Sequence, residues 1–571
     1  MTNRVLYIRK FHSSRLKEFN YNIQNTFDES KALHEIIGLA DNQMLRTIRR
    51  ITHRALDKDK VEQLFKLRDH YRSATLPRNK VTMRDYDIYD EYCIDIVRNV
   101  LPKVKIRSTY TQYLYDKYIK RDMYVQEAKR IQDKINRTLF CPDYVTVVMD
   151  KKSHYDYLYH NGFILNGKKY KRLSCSAGQA RVSTVVFCNA DIISKVKLAL
   201  NNGRDTSKKF SPSKFNAYFG LSGSATKVVS EPKFIVVKDF ENLTSFRANY
   251  VIENSWNVDD TVIEKEIVDM PMNRTDGMGL ITYRQAEKWS KELGLDYVPS
   301  QFCIRQSFIK GMLCVFPIHE FCEEVNDGNY VVDTIYKDEN GEYIKADLRD
   351  YDVILSESQF KLWDSFKSAD DYIKKCYENH LEWGVALTSP KEANHMLKLN
   401  YQFIQSLNLS QGDIEELASQ FVEWIEGVSY DNVYYMLLFL LGVNNTADKI
   451  SNFLSSSDQY WIKALITNHE VKNDRFIKLK VRELVKRKIE NACKGDIYID
   501  GNFQVLVSDP YGYMQHVCGL PVTGLLQKGE FYSNYWNERG VTVVDSMRSP
   551  LTYFSEHVVL NLRNDAEVNN W

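Results

Sequence analysis

Apolar and polar residues follow two different periods along this chain, and the period changes several times. In the first 140 residues, apolar positions recur every three to four residues, which predicts amphipathic helices. Examples of these positions are Leu33, Ile36, Ile37, Leu45 and Ile48. The stretch from Tyr110 to Leu139 has the same spacing. We therefore predict a helical region over residues 1–143.

The period then shortens to that of β-strands. From Tyr144 to Val251 the chain contains short runs rich in β-branched residues, and Asn-Gly pairs of the kind found in turns separate them. This pattern predicts a β-rich domain over residues 144–260. The predicted strands are Val145–Met149, Ser183–Cys188 and Lys233–Lys238.

The second half of the chain alternates between regions that mix strands with helices and regions that are mainly helical. Residues 261–355 contain strands and one clear helix, with Thr282 as its N-cap and Gly294 as its C-terminal stop. Residues 356–494 are predicted to be helical, and Ser389 before Pro390 is expected to begin a helix. Strands and turns resume over residues 495–571. The expected fold class is therefore α+β with several domains.

Composition narrows the class of protein. A chain of 571 residues with 44% hydrophobic and 27% charged residues is typical of a soluble protein with two to four domains. The ten cysteines contain no Cys-x-x-Cys pair, which indicates free thiols in a reducing compartment rather than disulfides or zinc fingers. The apolar run Tyr435–Val443 is too short to span a bilayer and is predicted to be a buried helix. We expect a cytoplasmic protein.

Charge is unevenly distributed, although the net charge is only +2. Residues 1–140 carry 29 Lys and Arg against 18 Asp and Glu, whereas the remainder carries 48 against 57. A basic first quarter suits a partner rich in phosphate, and a solvated helical face explains the same charge equally well.

Three basic segments could hold phosphate. In the first, Arg305, Lys310 and Gly311 are predicted to lie on the connection between two strands, where glycine permits a close backbone approach and the cations supply charge. In the second, Arg548 precedes Ser549 and Pro550, and proline holds the preceding backbone extended. The third is a helix that carries Lys486 and Arg487. Each segment taken alone is also compatible with a solvated surface.

Phosphoryl transfer with two divalent metals requires several carboxylates at fixed positions. The carboxylate groups of Asp85–Asp90, Asp496 with Asp500, and Asp276 do not form such a set by spacing. The sequence also contains no Asp-x-Asp-Gly-Asp cluster.

Taken in order, four stretches resemble the RNA polymerases built on two double-psi β-barrels. The resemblance is to the single-chain branch, which comprises cellular RNA-dependent RNA polymerases of RNA silencing and related phage-encoded RNA polymerases. The stretches are Ser176-x-x-Gln179-x-Arg181, the pair Asp276–Gly279 with Ile304–Gly311, Asp352–Trp363, and Gly524–Glu530 with Arg548-Ser-Pro550.

The resemblance implies a layout and a set of site residues. The first double-psi β-barrel would occupy residues 261–355, a helical connector residues 356–494, and an incomplete second barrel residues 495–571. Lys310 would contact phosphates, Arg305 would support it, and Arg548 would contact the incoming nucleotide. Further contacts to nucleotide or nucleic acid are expected from Lys528, Arg181, Lys486 and Arg487.

The resemblance also implies a cofactor and partners. The complete enzyme would use Mg²⁺, held by an Asp-x-Asp-Gly-Asp loop that lies beyond Arg548 in the family and has no counterpart here. We therefore expect the chain alone to be inactive and a second polypeptide to carry that loop. The other partners would be nucleoside triphosphates, a template and an RNA product. If the protein is phage-encoded, the compartment would be the host cytoplasm.

Two other interpretations remain open at this stage. The chain could be a non-catalytic protein that binds nucleic acid, or an assembly protein, that retains the barrel scaffold, or it could be a structural protein. The sequence does not decide whether the template is DNA or RNA.

Overall fold

The computed structural model describes residues 5–16, 19–21, 35–75, 120–208, 211–253, 261–399, 401–429, 432, 435–436, 460–548, 551 and 554–571. The chain divides into two compact units, Met1–Ser389 and Pro390–Trp571. Both units mix helices with sheets, which confirms the prediction of an α+β protein.

A seven-stranded sheet begins the first unit, with strand order β2-β5-β6-β7-β4-β1-β3. Its strands are β1 Val5–His12, β2 Asn20–Tyr21, β3 Ile36–Ala40, β4 Phe140–Val148, β5 Phe163–Leu165, β6 Lys168–Ser174 and β7 Thr184–Asn189. The helices of this part are α1 Gln43–Ile51, α2 Lys58–Thr75, α3 Lys120–Leu139, α4 Lys152–Asn161, α5 Ala177–Arg181, α6 Ile193–Leu200 and α7 Pro212–Gly220.

Turn chemistry explains one hairpin of this sheet directly. Asn166 and Gly167 connect β5 to β6, and both have positive φ, 49° and 76°. Two consecutive residues with positive φ give the turn whose twist matches paired strands, and Asn-Gly is its preferred sequence. The strands predicted at Val145–Met149 and Ser183–Cys188 are confirmed as β4 and β7, which pair antiparallel.

The prediction that residues 1–143 are helical is wrong for β1, β2, β3 and the start of β4. β1 pairs in parallel with β4, so that Arg9 lies opposite Val145, and Ile36 and Ile37 belong to β3. Short apolar runs do not distinguish a helix from a strand, and here a distant partner strand decides. Helix α3 confirms the helical prediction from Lys120 onward, whereas residues 110–119 lie outside the described residues.

A carboxylate joins the ends of β1 and β4. His12 Nδ1 lies 2.7 Å from Asp150 Oδ1, and the backbone N–H of Ser14 donates to Asp150 Oδ2 at 2.9 Å. The His12 hydrogen bond lowers the pKa of Asp150 well below its usual range. A carboxyl whose pKa is lower in the folded state contributes stability above its unfolded pKa, and this contribution is lost as the pH falls through the folded pKa.

We expect Asp150→Asn to destabilise the chain at pH 7, with the difference from wild type shrinking as the pH falls below the unfolded carboxyl pKa of about 3.9. Urea unfolding of both proteins between pH 3 and 7 measures this dependence. The control is Asp156→Asn on helix α4, where the side chain is exposed and the substitution should change stability little. A difference that stays constant with pH would contradict the prediction.

A second seven-stranded sheet completes the first unit, with order β8-β18-β13-β14-β12-β17-β9. Two ribbons, β10–β11 and β15–β16, accompany it. The strands are β8 Lys227–Val228, β9 Phe234–Val237, β10 Glu241–Glu253, β11 Thr261–Asn273, β12 Met278–Ile281, β13 Gln301–Gln306, β14 Ile309–Val315, β15 Val331–Lys337, β16 Tyr343–Asp347, β17 Val353–Ser356 and β18 Gly384–Thr388. The helices are α8 Tyr283–Leu293, α9 Ile318–Glu324 and α10 Ala369–Asn379.

Helix α8 has the bounds that its capping residues predict. The Thr282 side chain accepts from the backbone N–H of Gln285, and Gly294 ends the helix at φ 71°. The inner face of α8 places Trp289 in the core of the sheet, fully buried against Phe302 and Trp383. The predicted strand at Lys233–Lys238 is confirmed as β9.

The second unit has a small apolar core and two short sheets, β19–β20 and β21-β23-β22. Its strands are β19 Met396–Lys398, β20 Tyr498–Asp500, β21 Glu530–Phe531, β22 Val543–Met547 and β23 His557–Leu562. Its helices are α11 Tyr401–Ser406, α12 Gln411–Ser429, α13 Tyr460–Thr467, α14 Arg475–Ala492, α15 Pro510–Val517, α16 Asn534–Asn537 and α17 Ala566–Asn570.

One prediction for the connector is wrong, and another is only partly testable. Ser389 begins no helix; its hydroxyl instead accepts from the backbone N–H of Gln301 at 3.3 Å, at the end of β18. Of the predicted helix Tyr435–Val443, residues 435 and 436 are helical and the rest lies outside the described residues. Over the described ranges, no helix combines the length and the apolar character needed to cross a membrane.

Candidate phosphate-binding site

Four neighbouring strands of the second sheet bring polar residues to one of its ends. β12 and β14 run parallel and both begin at this end, whereas β17 and β9 run parallel to each other and both finish there. Asp276 therefore precedes one strand and Asp239 follows another, at the same end of the sheet as Lys310. Segments that are far apart in sequence meet here because the strand order requires it.

Arg305 and Lys310 lie within paired strands rather than on the connection between them. They are directly opposite each other in the β13–β14 hairpin, whose turn consists of Ser307 and Phe308. The Arg305 guanidinium is turned towards its own strand, because Nη1 donates to the carbonyl of Ile304 at 2.6 Å. Lys310 is half-buried and is the second residue of β14.

A second lysine lies beside Lys310. The segment after β17 runs antiparallel to the hairpin, with Ile309 and Phe360 as the bridging pair. Lys310 N donates to Gln359 O at 3.0 Å, and Lys361 N donates to Phe308 O at 2.8 Å. Lys310 and Lys361 thus hold diagonal positions across this bridge, which corresponds to roughly 7–8 Å between their backbones.

The surroundings of Lys361 disfavour its charged form. Burial lowers the pKa of Lys361, and Lys310 and Lys214 lower it further, whereas Asp276 and Asp239 act in the opposite direction. Lys214 comes from helix α7. The cluster therefore contains three lysines and two carboxylates, and a partly buried ammonium in it is stabilised further when an anion binds.

The Asp239 carboxylate connects two loops by hydrogen bonds. Its carboxylate accepts from Ser358 N at 3.0 Å, from Ser358 Oγ at 2.9 Å and from Thr275 Oγ1 at 3.2 Å. These hydrogen bonds fix the turn before β12 to the segment after β17. The Asp276 side chain is exposed at the same end of the sheet.

The backbone beneath the lysines is packed without space for additional atoms. A Cβ at Gly311 would lie 2.2 Å from Gln359 Nε2 and 2.6 Å from Gly277 O. A Cβ at Gly279 would lie 2.3 Å from Gln359 Oε1 and 2.5 Å from Ile354 O. Both glycines are therefore required for the close approach of β12, β14 and the segment after β17.

The residues around Lys310 do not fit a divalent metal. No group of three or more His, Cys, Asp or Glu side chains with metal-binding geometry occurs among the described residues. The carboxylate oxygens of Asp239 already accept hydrogen bonds, and two ammonium groups lie nearby.

Four of the other predicted site residues belong to the second unit. Arg548 follows β22, is 69% exposed, and forms an ion pair with Glu556 at 2.9 Å. Lys528 is exposed in the turn before β21, and Lys486 and Arg487 are exposed on helix α14. Arg548 belongs to the second unit and Lys310 to the first, and the nucleotide contacts expected of the two residues stay predictions.

The stretch containing Arg181 has a structural explanation for two of its residues. Ser176 caps helix α5 by accepting from Gln179 N, and the Gln179 side chain accepts from Ser176 N, which is a capping box. Arg181 is the exposed last residue of this helix. The Ser-x-x-Gln spacing is thus required locally, while Arg181 remains available for a ligand.

Lys361 lies in the stretch Asp352–Trp363, which resembles the polymerase family, but the sequence pattern gave this residue no role. One signal was available: Lys361 follows a strand-like run, Val353–Ser356, by five residues, and Lys310 likewise lies at a strand end. Of the candidate carboxylates, Asp500 ends β20, Asp496 bonds Lys398 at 2.9 Å, and Asp85–Asp90 lie outside the described residues.

Comparison with known proteins supports the family resemblance of the four stretches found in the sequence. Residues 102–560 match the family model of RNA-dependent RNA polymerase, and the chain belongs to this family. It is 27% identical over 421 residues to the DNA-directed RNA polymerase YonO of Bacillus phage SPbeta, which covers 72% of this chain and 46% of that protein. The chain thus spans about half the length of this relative.

A solved structure is also similar. The RNA-dependent RNA polymerase QDE-1 from Thielavia terrestris shares 12% identity, with a TM-score of 0.41 over 75% of this chain and 45% of that one. The resemblance to the single-chain, phage-related polymerases is confirmed by the family match and the phage relative.

Proposed function

We propose that this chain holds nucleotide phosphates in a template-directed RNA polymerase. The observation that carries the proposal is the placement of Lys310 and Lys361 across one antiparallel bridge at the end of the second sheet. The backbones of Lys310 and Lys361 are roughly 7–8 Å apart. From these positions the two ammonium groups can bind neighbouring phosphate oxygens of one triphosphate or of an RNA end.

The sheet that carries the lysines would belong to the first double-psi β-barrel, and β21–β23 would begin the second, with Arg548 at its nucleotide-facing side. Lys528, Arg181, Lys486 and Arg487 would contact nucleic acid, and Arg305 would support Lys310. These roles are proposed from the family membership and from the exposure of the side chains.

Mg²⁺ would be bound by carboxylates that this sequence does not contain, because it has no Asp-x-Asp-Gly-Asp cluster and the cations around Lys310 disfavour a metal. A second polypeptide would supply them. The metal supplies charge neutralisation at the transferring phosphoryl group, whereas this chain binds and orients the phosphates.

The test is nucleotide binding together with synthesis. The purified chain is expected to bind ATP more weakly as salt rises, and to make no RNA from four nucleotides, Mg²⁺ and a DNA or RNA template. Co-purification with a polypeptide that contains the aspartate loop should restore synthesis.

RNA synthesis by the chain alone would contradict the proposal that the Mg²⁺-binding carboxylates come from outside this sequence. Binding of single-stranded nucleic acid that Lys310→Ala leaves unchanged would favour a non-catalytic role.

The lowered pKa of Lys361 predicts a pH dependence for binding. Only the protonated amine attracts phosphate, so ATP affinity should fall as the pH rises through the pKa of Lys361, at a lower pH than for an ordinary lysine. Titrations between pH 7 and 10 measure this decline. In Lys361→Arg, whose guanidinium stays charged, the decline should shift to higher pH. An identical profile in both proteins would contradict the assignment.

A further inference from the structure

The side chain of Gln359 connects all three segments of the candidate site. It is fully buried, and its Nε2 donates to Gly277 O at 3.2 Å and to Met312 O at 2.9 Å. Its Oε1 accepts from the backbone N–H of Ser356 at 3.1 Å. One amide therefore binds the turn before β12, the strand that carries Lys310, and the end of β17.

The backbone of Gln359 also determines where the two lysines lie. Its carbonyl accepts from Lys310 N, and Lys361 follows two residues later across the same bridge. A displacement of Gln359 would therefore move Lys310 and Lys361 relative to each other. Gly279 and Gly311 leave no room for the amide to shift towards either strand.

We infer that Gln359 is a positioning residue for the phosphate site, which sets the separation of Lys310 and Lys361 without touching the ligand. This inference rests on the proposed function. A buried amide that bonds three backbone groups holds its neighbours in one arrangement, because the loss of these hydrogen bonds would leave buried polar groups with fewer partners.

The decisive variant is Gln359→Met, which keeps the side-chain volume and removes the three amide hydrogen bonds. We expect ATP affinity to fall about 5- to 20-fold, which is less than the loss of one whole charged hydrogen bond to phosphate, because the lysines are displaced and not removed. The matched control is Gln43→Met. Gln43 is also buried in the first unit, and its amide bonds the backbone of His380 and Glu382. The control should lose a similar amount of stability and keep the wild-type affinity.

A second measurement does not depend on nucleotide binding. Competitive acetylation of lysines, followed by mass spectrometry across pH 7–11, reports the titration of Lys361 in the free protein. Gln359→Met should shift this titration, because the distance to Lys310 changes, and Gln43→Met should not. A second variant, Gln359→Leu, removes the same three hydrogen bonds without introducing a charge, and should behave similarly.

The outcomes separate the two hypotheses. If wild type binds no ATP but Gln359→Met shifts the Lys361 titration, the proposed function fails and the positioning role stands. If Gln359→Met and Gln43→Met are equal in both affinity and titration, Gln359 is merely structural and the inference is overturned. It is likewise overturned if both Gln359 variants fail to fold while Gln43→Met folds.

Discussion

Replacing Lys361 by methionine is expected to weaken ATP binding about 10- to 100-fold without lowering the stability of the chain. A hydrogen bond to a charged group contributes about 1.5–3 kcal/mol, which corresponds to this loss of affinity. Stability should stay constant or rise, because burial and the neighbouring cations Lys310 and Lys214 already disfavour the charge of Lys361. Most substitutions in a folded core act in the opposite direction.

The two effects are measured separately, by calorimetric titration with ATP and by urea unfolding. Lys310→Met should weaken binding by a similar factor, and the double variant should show whether the two lysines act on one ligand. The control is Lys195→Met, an exposed lysine on helix α6, which should change neither quantity. A Lys361→Met protein that binds ATP like wild type would contradict the proposed role of Lys361 in phosphate binding.

Substituting Gly311 by alanine is expected to destabilise the first unit by about 3 kcal/mol or more. The added methyl group would lie within 2.6 Å of the Gln359 amide and the Gly277 carbonyl, far inside van der Waals contact. Neither neighbour can yield easily, because the amide is bound on three sides and the carbonyl is backbone. Overpacking of this kind costs about 1–3 kcal/mol, and more where backbone must move.

Urea unfolding midpoints test this expectation. Gly178→Ala is the matched control, since a Cβ there meets nothing within 4 Å and the residue lies in helix α5. The control should be neutral or stabilising by about 0.4–1 kcal/mol, because alanine has less freedom in the unfolded chain. Equal stabilities for the two variants would show that the strands can separate at Gly311, contrary to the packing described above.

Local rules predicted some elements with correct bounds. Helix α8 begins after Thr282 and ends at Gly294, because both capping interactions form between residues that are close in sequence. The Asn166–Gly167 turn follows from the same kind of local preference. Patterns of β-branched residues predicted β4, β7 and β9, whose strands are largely buried and therefore apolar.

Long-range pairing explains the predictions that were wrong. β1 and β3 have spacing compatible with a helix, and only their pairing with each other and with β4 makes them strands. Ser389 and Pro390 form a good helix start in isolation, yet the serine hydroxyl binds the backbone of β13 instead. Such interactions depend on which distant segment arrives, and the local pattern does not contain that information.

In the candidate site, too, local patterns predicted one residue and long-range pairing decided the others. Lys310 could be selected from sequence because it stands beside a glycine at the end of a predicted strand. Lys361 and Gln359 could not be assigned a role, because their importance arises from the antiparallel bridge to Phe308–Lys310, some fifty residues earlier.

The sequence by itself determined the α+β class, the caps of α8, the apolar strands and the family resemblance, since these depend on neighbouring residues and their order. The tertiary structure alone decided that Asp239, Asp276, Lys310 and Lys361 share one sheet end, and that a single buried glutamine connects their loops. The physical reason is that strand order and direction determine which ends meet. That order follows from the packing of the whole unit, through contacts between residues that are distant along the chain.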